Sequence, residues 1–496
     1  MSAHPALSMV DILIEIFEWY DSWTFSLAFR EDKDIERTRT LAHAACACRS
    51  FQQAAIRVLW RDLHDILPLL KLLPALRKVT GQDTDVSVYG DHSETYHLPD
   101  DVPVHEWDRM LQYSVHVQAL QTRDFSAAKL TPASWSTMSR FAENHCILPN
   151  LQWIDWTVDL SHPLAMLHFL SNRTQTIILY CDSPARDLDK QKTIQWQSHL
   201  GCLVTEICKR CPDLIALKFD IGNLPASAVV PHIPVLRSLE EFTLSFEHGS
   251  LDYSHMRALA AMPALDAVAL TSAPTGAVNT GFLDASDNFR ALQSLTLERW
   301  DTHSSILTCP SLRRFEIANY MYDDDCTLRQ HCKTWAGSFP RLEAFSCYIR
   351  TEALHDQDHR YPIASVIAPL MSLPTLKDVE VEYSTYIPFW LTDVDFLAMS
   401  EAWPSLVSFS IYEASLGHDY PSCTAGLPGL LALAKNCPDL KMISLRRLDV
   451  GPEDLSSLPA EPLDHGLQSF NVRLGMANDV YEIVTSRLFP HLLSKL

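Results

Sequence analysis

The residues of this chain with the greatest intrinsic reactivity are cysteines, and two of them form a CxxC motif at Cys208 and Cys211, with Cys202 nearby. A CxxC pair can act as a redox dithiol or supply half of a zinc site. A structural zinc site needs four ligands, however, and a redox dithiol needs an accessible, activated thiolate. The second cysteine precedes a proline, and the same Cys-Pro context recurs without a CxxC at Cys309 and Cys437. The pattern therefore favours packing residues at the ends of helices.

A second reactive pair, His331 and Cys332, is predicted to lie in a polar loop. It could act as a base and a nucleophile, but the sequence identifies no partner for it. Cys46 and Cys48 fall in a predicted helix, where small side chains are more simply explained by packing. The GxSxG and HExxH motifs do not occur. We therefore predict no catalytic residues, no metal ligands and no cofactor, and we do not expect the chain to be an enzyme.

The length and composition of the chain predict a folded protein of several parts. Its 496 residues exceed what one hydrophobic core usually holds, while 47% of them are hydrophobic and 20% charged. We therefore expect either several domains or one elongated array of repeats. Glycine is scarce, with 14 residues, and neither the P-loop pattern nor GxGxxG occurs, so the sequence predicts no glycine-rich phosphate loop.

The charge balance argues against nucleic acid as a ligand, because 61 acidic residues outweigh 40 basic ones and give a net charge of −21. The N-terminal residues lack the basic and apolar segments of a secretory signal, and the apolar run at 66–73 is broken by Pro68 and Lys71. We therefore expect no membrane association, a cytoplasmic or nuclear location and reduced cysteines.

The N-terminal residues predict a small cluster of three helices. Within residues 9–20, apolar side chains recur at helical spacing, and Ile14 and Trp19 add apolar surface on a second flank. A second apolar pattern, rich in small residues, covers residues 41–60. A helix that is apolar on more than one face must be covered on more than one side. A module this short has too few residues to cover both sides itself. The pattern therefore indicates that one side is left for a partner protein.

These segments resemble an F-box. The run at 9–17, MVDILIEIF, is similar to the opening of that motif, ACRSF at 47–51 to its middle, and VLWR at 58–61 to its close. The family has a proline where this chain has Val10, and an insertion at 21–38 separates the first two helices. The resemblance implies binding to the Skp-type adaptor of a cullin-RING ubiquitin ligase. The residues implied in that contact are Met9, Val10, Ile12, Leu13, Ile16, Phe17, Cys48, Phe51, Leu59 and Trp60. The alternative is a helical cap that binds nothing.

From about residue 110, one short pattern recurs: a leucine, two residues, an apolar residue, one residue and a second apolar residue, often with a proline two before the leucine. The consecutive leucines 214, 239, 265 and 292 are separated by 25, 26 and 27 residues, and later steps vary from 20 to 34. Such a segment predicts a short strand with alternate side chains directed inward. The pattern resembles leucine-rich repeats, in which stacked neighbours bury what one repeat cannot. A chance motif in another α/β fold is the alternative.

The expected fold is therefore α/β: a three-helix F-box followed by an irregular leucine-rich-repeat solenoid with short parallel strands and outer helices. The expected boundaries are 1–75 for the helical module, 76–109 for a linker and lead-in helix, and 110–496 for the solenoid. The resemblance implies a substrate-recognition subunit of an SCF-type ubiquitin ligase, with an unknown protein as its substrate. The alternatives are an interaction scaffold that works without a ligase and an enzyme on an unrecognised α/β fold.

The residue between the two apolar positions of each strand is expected to face outward, on the concave side of such a solenoid. We predict that substrate contacts lie there, with the loops at one rim as the alternative. The positions concerned are Asp155, Lys218, Thr243, Glu316 and Glu380, together with Ala269, Thr296, Ser346, Ser410 and Ser444.

Overall fold

Strands and helices alternate along most of the chain. The computed structural model describes residues 9–22, 30–79, 94–122, 129–143, 145–158, 162–181, 190–222, 224–246, 251, 253–272, 289–300, 309–321, 325–350, 361–383, 389–413, 425–448 and 465–474. Within these ranges the α-helices are α1 Val10–Ser22, α2 Arg30–Ala47, α3 Arg49–Leu59, α4 Leu67–Leu70, α5 Val104–Ser114, α6 Pro132–Ala142, α7 Lys190–Arg210, α8 Tyr253–Ala260, α9 Asp325–Ser338, α10 Ile363–Ile367, α11 Asp393–Ala402 and α12 Leu427–Asn436. Short 3-10 helices cover Ala165–His168, Ala226–Ala228, Val230–Val235 and Ala368–Ser372.

The strands of the described ranges are short, mostly of two to eight residues. They are β1 Asp62–Leu63, β2 Arg77–Val79, β3 Thr95–His97, β4 Ala119–Thr122, β5 Lys129–Leu130, β6 Trp153–Val158, β7 Thr176–Cys181, β8 Ala216–Asp220, β9 Glu241–Ser245, β10 Ala267–Ser272, β11 Ser294–Arg299, β12 Arg314–Met321, β13 Ala344–Arg350, β14 Tyr361–Pro362, β15 Asp378–Tyr383, β16 Phe389–Trp390, β17 Ser408–Glu413, β18 Met442–Arg447 and β19 Ser469–Leu474.

Fourteen of these strands form one open parallel sheet whose order follows the chain: β1, β4, β6 to β13, β15, β17, β18 and β19. Two small sheets are separate from it, one of β2, β3 and β5 and one of β14 and β16. The predicted α/β class with short parallel strands is therefore confirmed. The described helices include none that is long and apolar enough to cross a membrane.

Two compact units divide the chain. The first comprises residues 1–241 and 246–248, and the second comprises residues 242–245 and 249–496. Unit 1 contains α1 to α7 and β1 to β8, and unit 2 contains α8 to α12, β10 to β19 and most of β9.

The apolar positions of the repeated pattern form the inward side of the strands. In β15, for example, Val379 and Val381 are buried, and so is the preceding Leu376. The predicted repeats all supply such strands, although Val472 in the last one is only half-buried. The register aligns the first apolar position across neighbouring strands of unit 2: Leu295, Phe315, Phe345, Val379, Phe409, Ile443 and Phe470. Stacked repeats therefore share one continuous core.

Prolines separate helices from strands at two places in unit 2. Helix α11 ends at Ala402 and α12 ends at Asn436, each followed by one residue and then Pro404 or Pro438. Proline lacks the N–H that a helix needs and disfavours helical backbone in the residue before it. The chain is thereby turned out of the helix two residues before the leucine that begins each inward pattern.

Helices α1, α2 and α3 pack around a small core of their own. Leu13, Leu41 and Val58 are each 1% exposed and lie in this core with Ile14 and Ala54. The three-helix cluster is therefore present. Of the residues predicted as an insertion at 21–38, residues 21 and 22 end α1 and residues 30–38 begin α2. The side chain of Tyr20, residues 23–29 and residues 475–496 of the predicted repeat region lie outside the described residues.

Candidate functional site

Helix α1 carries an exposed apolar face. Met9, which lies immediately before the helix, is 57% exposed, and Ile12, Ile16 and Trp19 are 38%, 48% and 66% exposed. These four side chains follow the helical spacing of three and four residues. Large apolar side chains clustered on one helix face are uncommon on a protein surface that has no partner. This face can bury apolar area against another protein.

The structure divides the predicted adaptor-binding residues of α1 between that face and the core. Met9, Ile12 and Ile16 are exposed, whereas Leu13 is 1% exposed and packs inside the helical module. Our expectation that Leu13 faces outward is therefore wrong. Val10 and Phe17 are partly buried against the same core. Because exposed and core-facing apolar residues alternate along this helix, its apolar pattern is wider than one face.

The remaining predicted adaptor-binding residues lie at the ends of α3. Cys48 is exposed immediately before α3. Phe51 and Leu59 are partly buried, and the Phe51 ring meets Phe17 edge-on at 5.8 Å. The Trp60 ring lies 5.1 Å from that of Tyr113, so it packs onto α5. The sequence pattern identifies Trp19 only as apolar surface on a second flank and not as a binding residue. Its position three residues after Ile16 is the signal that places it on the exposed face.

A salt bridge connects α1 to the first strand. Arg61 Nη1 lies 2.7 Å from Glu18 Oε1, and Arg61 Nε lies 3.1 Å from Asp62 Oδ2. The guanidinium is planar and offers several fixed donors, so it holds both carboxylates at once. The orientation of α1, and with it the exposed apolar face, is thereby linked to β1.

The outward side of the unit 2 strands carries a second candidate surface. Because β15 buries Val379 and Val381, the side chains between and beside them point to the opposite side. The register places like positions of neighbouring strands next to one another. We call this surface the acidic face, and it comprises Glu316, Asp378, Glu380 and Glu382 with Ser346, Ser410 and Tyr412.

Hydrogen bonds converge on Glu380 at the centre of the acidic face. Ser346 Oγ donates to Glu380 Oε2 at 3.1 Å, while the Tyr412 hydroxyl lies 3.1 Å from Glu380 Oε1 and 3.3 Å from Glu382 Oε2. Burial raises the pKa of Tyr412 to about 12, and the negative charges of Glu380 and Glu382 add to the shift. The phenol therefore remains a hydrogen-bond donor at neutral pH.

The five residues predicted to contact a substrate differ in accessibility. Glu380 is exposed, whereas Lys218, Thr243 and Glu316 are half-buried. Asp155 is 0% exposed and lies between the buried residues Ile154 and Trp156. The prediction of an accessible surface position is therefore wrong for Asp155, because its strand is covered on both sides.

The CxxC cysteines are packing residues, as the sequence predicts. Burial raises the pKa of Cys208 and of Cys211 to about 11 each. Their Sγ atoms lie 3.5 Å from the carbonyl oxygen of His232 and 3.4 Å from that of Ser171, respectively. A buried thiol that donates to a backbone carbonyl is not an activated thiolate.

His331 and Cys332 lie in α9, not in the loop that we expected. Cys332 is buried, which raises the pKa of its thiol, while His331 Nδ1 is 2.9 Å from the Tyr320 hydroxyl and its ring stacks on Trp335. Since the two side chains have different surroundings, this pair is not a nucleophile with its base. The signal for the helix is the apolar spacing from Leu328 through Cys332 to Trp335.

A groove of about 520 Å³ lies between α7 and the 3-10 helices that follow β8. Thr205 Oγ1 donates to the Gly201 carbonyl at 2.8 Å and is 3.1 Å from His232 Nδ1, so its hydroxyl accepts from that nitrogen. His232 Nε2 then carries no proton when the imidazole is neutral. In the part of the chain that the structure describes, no group of three or more His, Cys, Asp or Glu side chains could hold a metal ion.

No protein-family model matches the chain, and no curated protein matches its sequence at a significant level.

Proposed function

We propose that this protein is the substrate-recognition subunit of an SCF-type ubiquitin ligase. In this proposal α1, α2 and α3 form an F-box that binds the Skp-type adaptor, and the parallel strands with their helices form a leucine-rich-repeat solenoid that holds a protein substrate. The gain in ubiquitin transfer comes from tethering, which replaces a rare collision by an intramolecular encounter.

The exposed apolar face of α1 is the observation that carries this proposal. A helical module with its own core does not need Ile12 and Ile16 at its surface, yet they are 38% and 48% exposed. Burying one such side chain against a partner contributes roughly 1.5–3 kcal/mol. The sequence resemblance to the F-box falls on the same helix, and the strand order that follows the chain supports stacked repeats.

The test is co-purification of the full chain with a Skp-type adaptor. We expect the wild-type chain to bind it and the double substitution Ile12→Glu with Ile16→Glu to weaken binding by about a hundredfold or more, since two apolar contacts are lost. Both side chains are exposed, so the helical module should stay folded by circular dichroism. Phe17 is unsuitable for this test because it packs on the core.

A matched control changes two exposed apolar residues on a helix of unit 2. Val394 and Leu397 in α11 are 73% and 44% exposed, and Val394→Glu with Leu397→Glu should leave adaptor binding unchanged. If the wild-type chain does not bind the adaptor, or if the two double variants bind it equally, the proposed function is wrong. Binding to the adaptor without recruitment of a cullin would instead favour a scaffold that works without a ligase.

A further inference from the structure

We propose that the acidic face of unit 2 binds an extended segment of a partner protein that carries lysine or arginine side chains. The inference rests on the proposed function, since it names the class of substrate segment that the adaptor would hold. Four observations support it: carboxylates without ion pairs, a shortage of hydrogen-bond donors among the described side chains, a largely buried serine whose hydroxyl has no protein partner, and the spacing of the carboxylates.

The carboxylates of the acidic face lack cationic partners. Among the side chains that the structure describes, no lysine or arginine forms an ion pair with Glu316, Asp378, Glu380 or Glu382. Glu343, at the start of the neighbouring strand, is paired with both Arg313 and Lys377. Among the described residues, the same region therefore neutralises one carboxylate and leaves a group of four without an ion pair. A cationic partner would remove the repulsion among them.

Hydrogen-bond donors are also in short supply at Glu380 and Glu382. The two carboxylates offer four oxygens, while Tyr412 has one hydroxyl proton to share between them and Ser346 donates one more. A lysine ammonium brings three donors and an arginine guanidinium brings five. Hydrogen bonds between such groups and carboxylates are about twice as strong as those between neutral groups. Basic side chains therefore supply charge and donors beyond those that the described side chains offer to Glu380 and Glu382.

Ser410 gives an independent indication of a ligand. It is 6% exposed, and its neighbours Phe409 and Ile411 are buried on the inward side, so its hydroxyl points to the acidic face. Its register partner in β15 is Glu380. Among the described residues no side chain or backbone group forms a hydrogen bond with its Oγ. A hydroxyl can donate one hydrogen bond and accept others, so Ser410 is suited to bind a polar group of a docked chain.

The spacing of the carboxylates sets the length of the segment. Glu316 and Glu380 lie in register on β12 and β15, which are separated only by β13. Two strand spacings amount to about 10 Å, and an extended chain advances about 3.3 Å per residue. Basic residues about three positions apart in the partner would therefore match Glu316 and Glu380.

The test uses the full chain and a labelled synthetic peptide with lysine at every third position and alanine or serine between. We expect it to bind, and a counterpart with glutamine for every lysine not to bind. Glu380→Gln with Glu382→Gln should weaken binding at least about tenfold. The matched control, Glu401→Gln with Asp439→Asn, removes two exposed charges outside the acidic face and should weaken it less than about twofold. Ser410→Ala should weaken it by about two- to threefold.

Two outcomes would overturn the proposal. Equal losses in the acidic-face and control variants would mean non-specific attraction by the net charge of −21. Binding of spermine with the same dependence on Glu380 and Glu382, and full displacement of the peptide by it, would mean that the ligand is a small polycation. The variant with Ile12→Glu and Ile16→Glu should keep its affinity for the peptide. Failure of adaptor binding and failure of the acidic face are therefore seen in separate measurements.

Discussion

Asp155 in unit 1 and Glu380 in unit 2 occupy the same place in their strands, between two buried residues that belong to the inward pattern. Asp155 is 0% exposed, whereas Glu380 is exposed on the acidic face. The unit 1 neighbours of Asp155 in the register are Gln121 and Ile178, and those of Glu380 are Ser346 and Ser410. The alternation of a strand determines which side a residue faces, but not whether that side is open to solvent.

A second comparison concerns the residue after the leucine that begins each pattern. Gln152 in unit 1 and Glu343 in unit 2 have the same backbone role, since each carbonyl accepts two N–H groups from the next strand. The side chains differ: Gln152 and Gln175 are neutral, whereas Glu343 lies between Arg313 and Lys377. The same backbone design thus carries a neutral row of Gln118, Gln152 and Gln175 in unit 1 and a charged row of Arg313, Glu343 and Lys377 in unit 2.

The largest expected effect on stability distinguishes the buried Asp155 from the exposed Glu380. Asp155→Lys should lower the free energy of unfolding by about 3–5 kcal/mol, because it places an uncompensated cation in a fully buried position. Glu380→Lys should change it by less than about 0.5 kcal/mol, because the position is exposed. Urea unfolding followed by circular dichroism would measure both. Similar losses in the two variants would contradict the difference in accessibility between these strands.

The sequence alone could predict the inward side of the sheet and not the outward side. Val379, Val381 and their equivalents are identified by a local pattern with a period of two. The burial of Asp155 depends on what covers its strand, and distant parts of the chain determine that. The apolar patterns at 9–20 and 41–60 predict a three-helix cluster. They do not predict that Leu13 lies in the core and Ile16 at the surface, because that depends on how the helices pack.

A smaller effect is expected from the Tyr412 hydroxyl on the acidic face. Its pKa is raised from an ordinary value of 10.0 to about 12, first by burial and then by the charges of Glu380 and Glu382. An unfolded chain therefore releases this proton at lower pH than the folded one. The contribution of Tyr412 to stability is complete below pH 10 and is lost as the pH rises from 10 towards 12.

Urea unfolding at a series of alkaline pH values would measure this contribution. Between pH 10 and 12, the wild-type free energy of unfolding should fall more steeply than that of Tyr412→Phe. The other tyrosines are common to both proteins, so their titration cancels in the difference. Parallel curves would mean that the hydroxyl does not lie beside two ionised carboxylates.

The smallest expected effect concerns the charged row of unit 2. The hydrogen bond from Lys377 is the main cause that lowers the pKa of Glu343, and the nearby positive charges of Lys377 and Arg313 act in the same direction. A carboxyl group with a lowered pKa in the folded state stabilises it above the ordinary pKa, and this stabilisation is lost as the pH falls through the lowered value. The side chains are partly exposed, so water and salt weaken the interaction.

Glu343→Gln should therefore lower the free energy of unfolding by less than about 1 kcal/mol at neutral pH and low salt. It should cost progressively less as the pH is lowered below the ordinary glutamate pKa of 4.5, or as salt is added. Gln152→Glu in unit 1 is the matched comparison, because its neighbours in the row, Gln118 and Gln175, carry no charge that could pair with the new carboxylate. If the difference between wild type and Glu343→Gln were the same at pH 3 and pH 7, the ion pairs would contribute nothing, and the charged and neutral rows would be equivalent in energy.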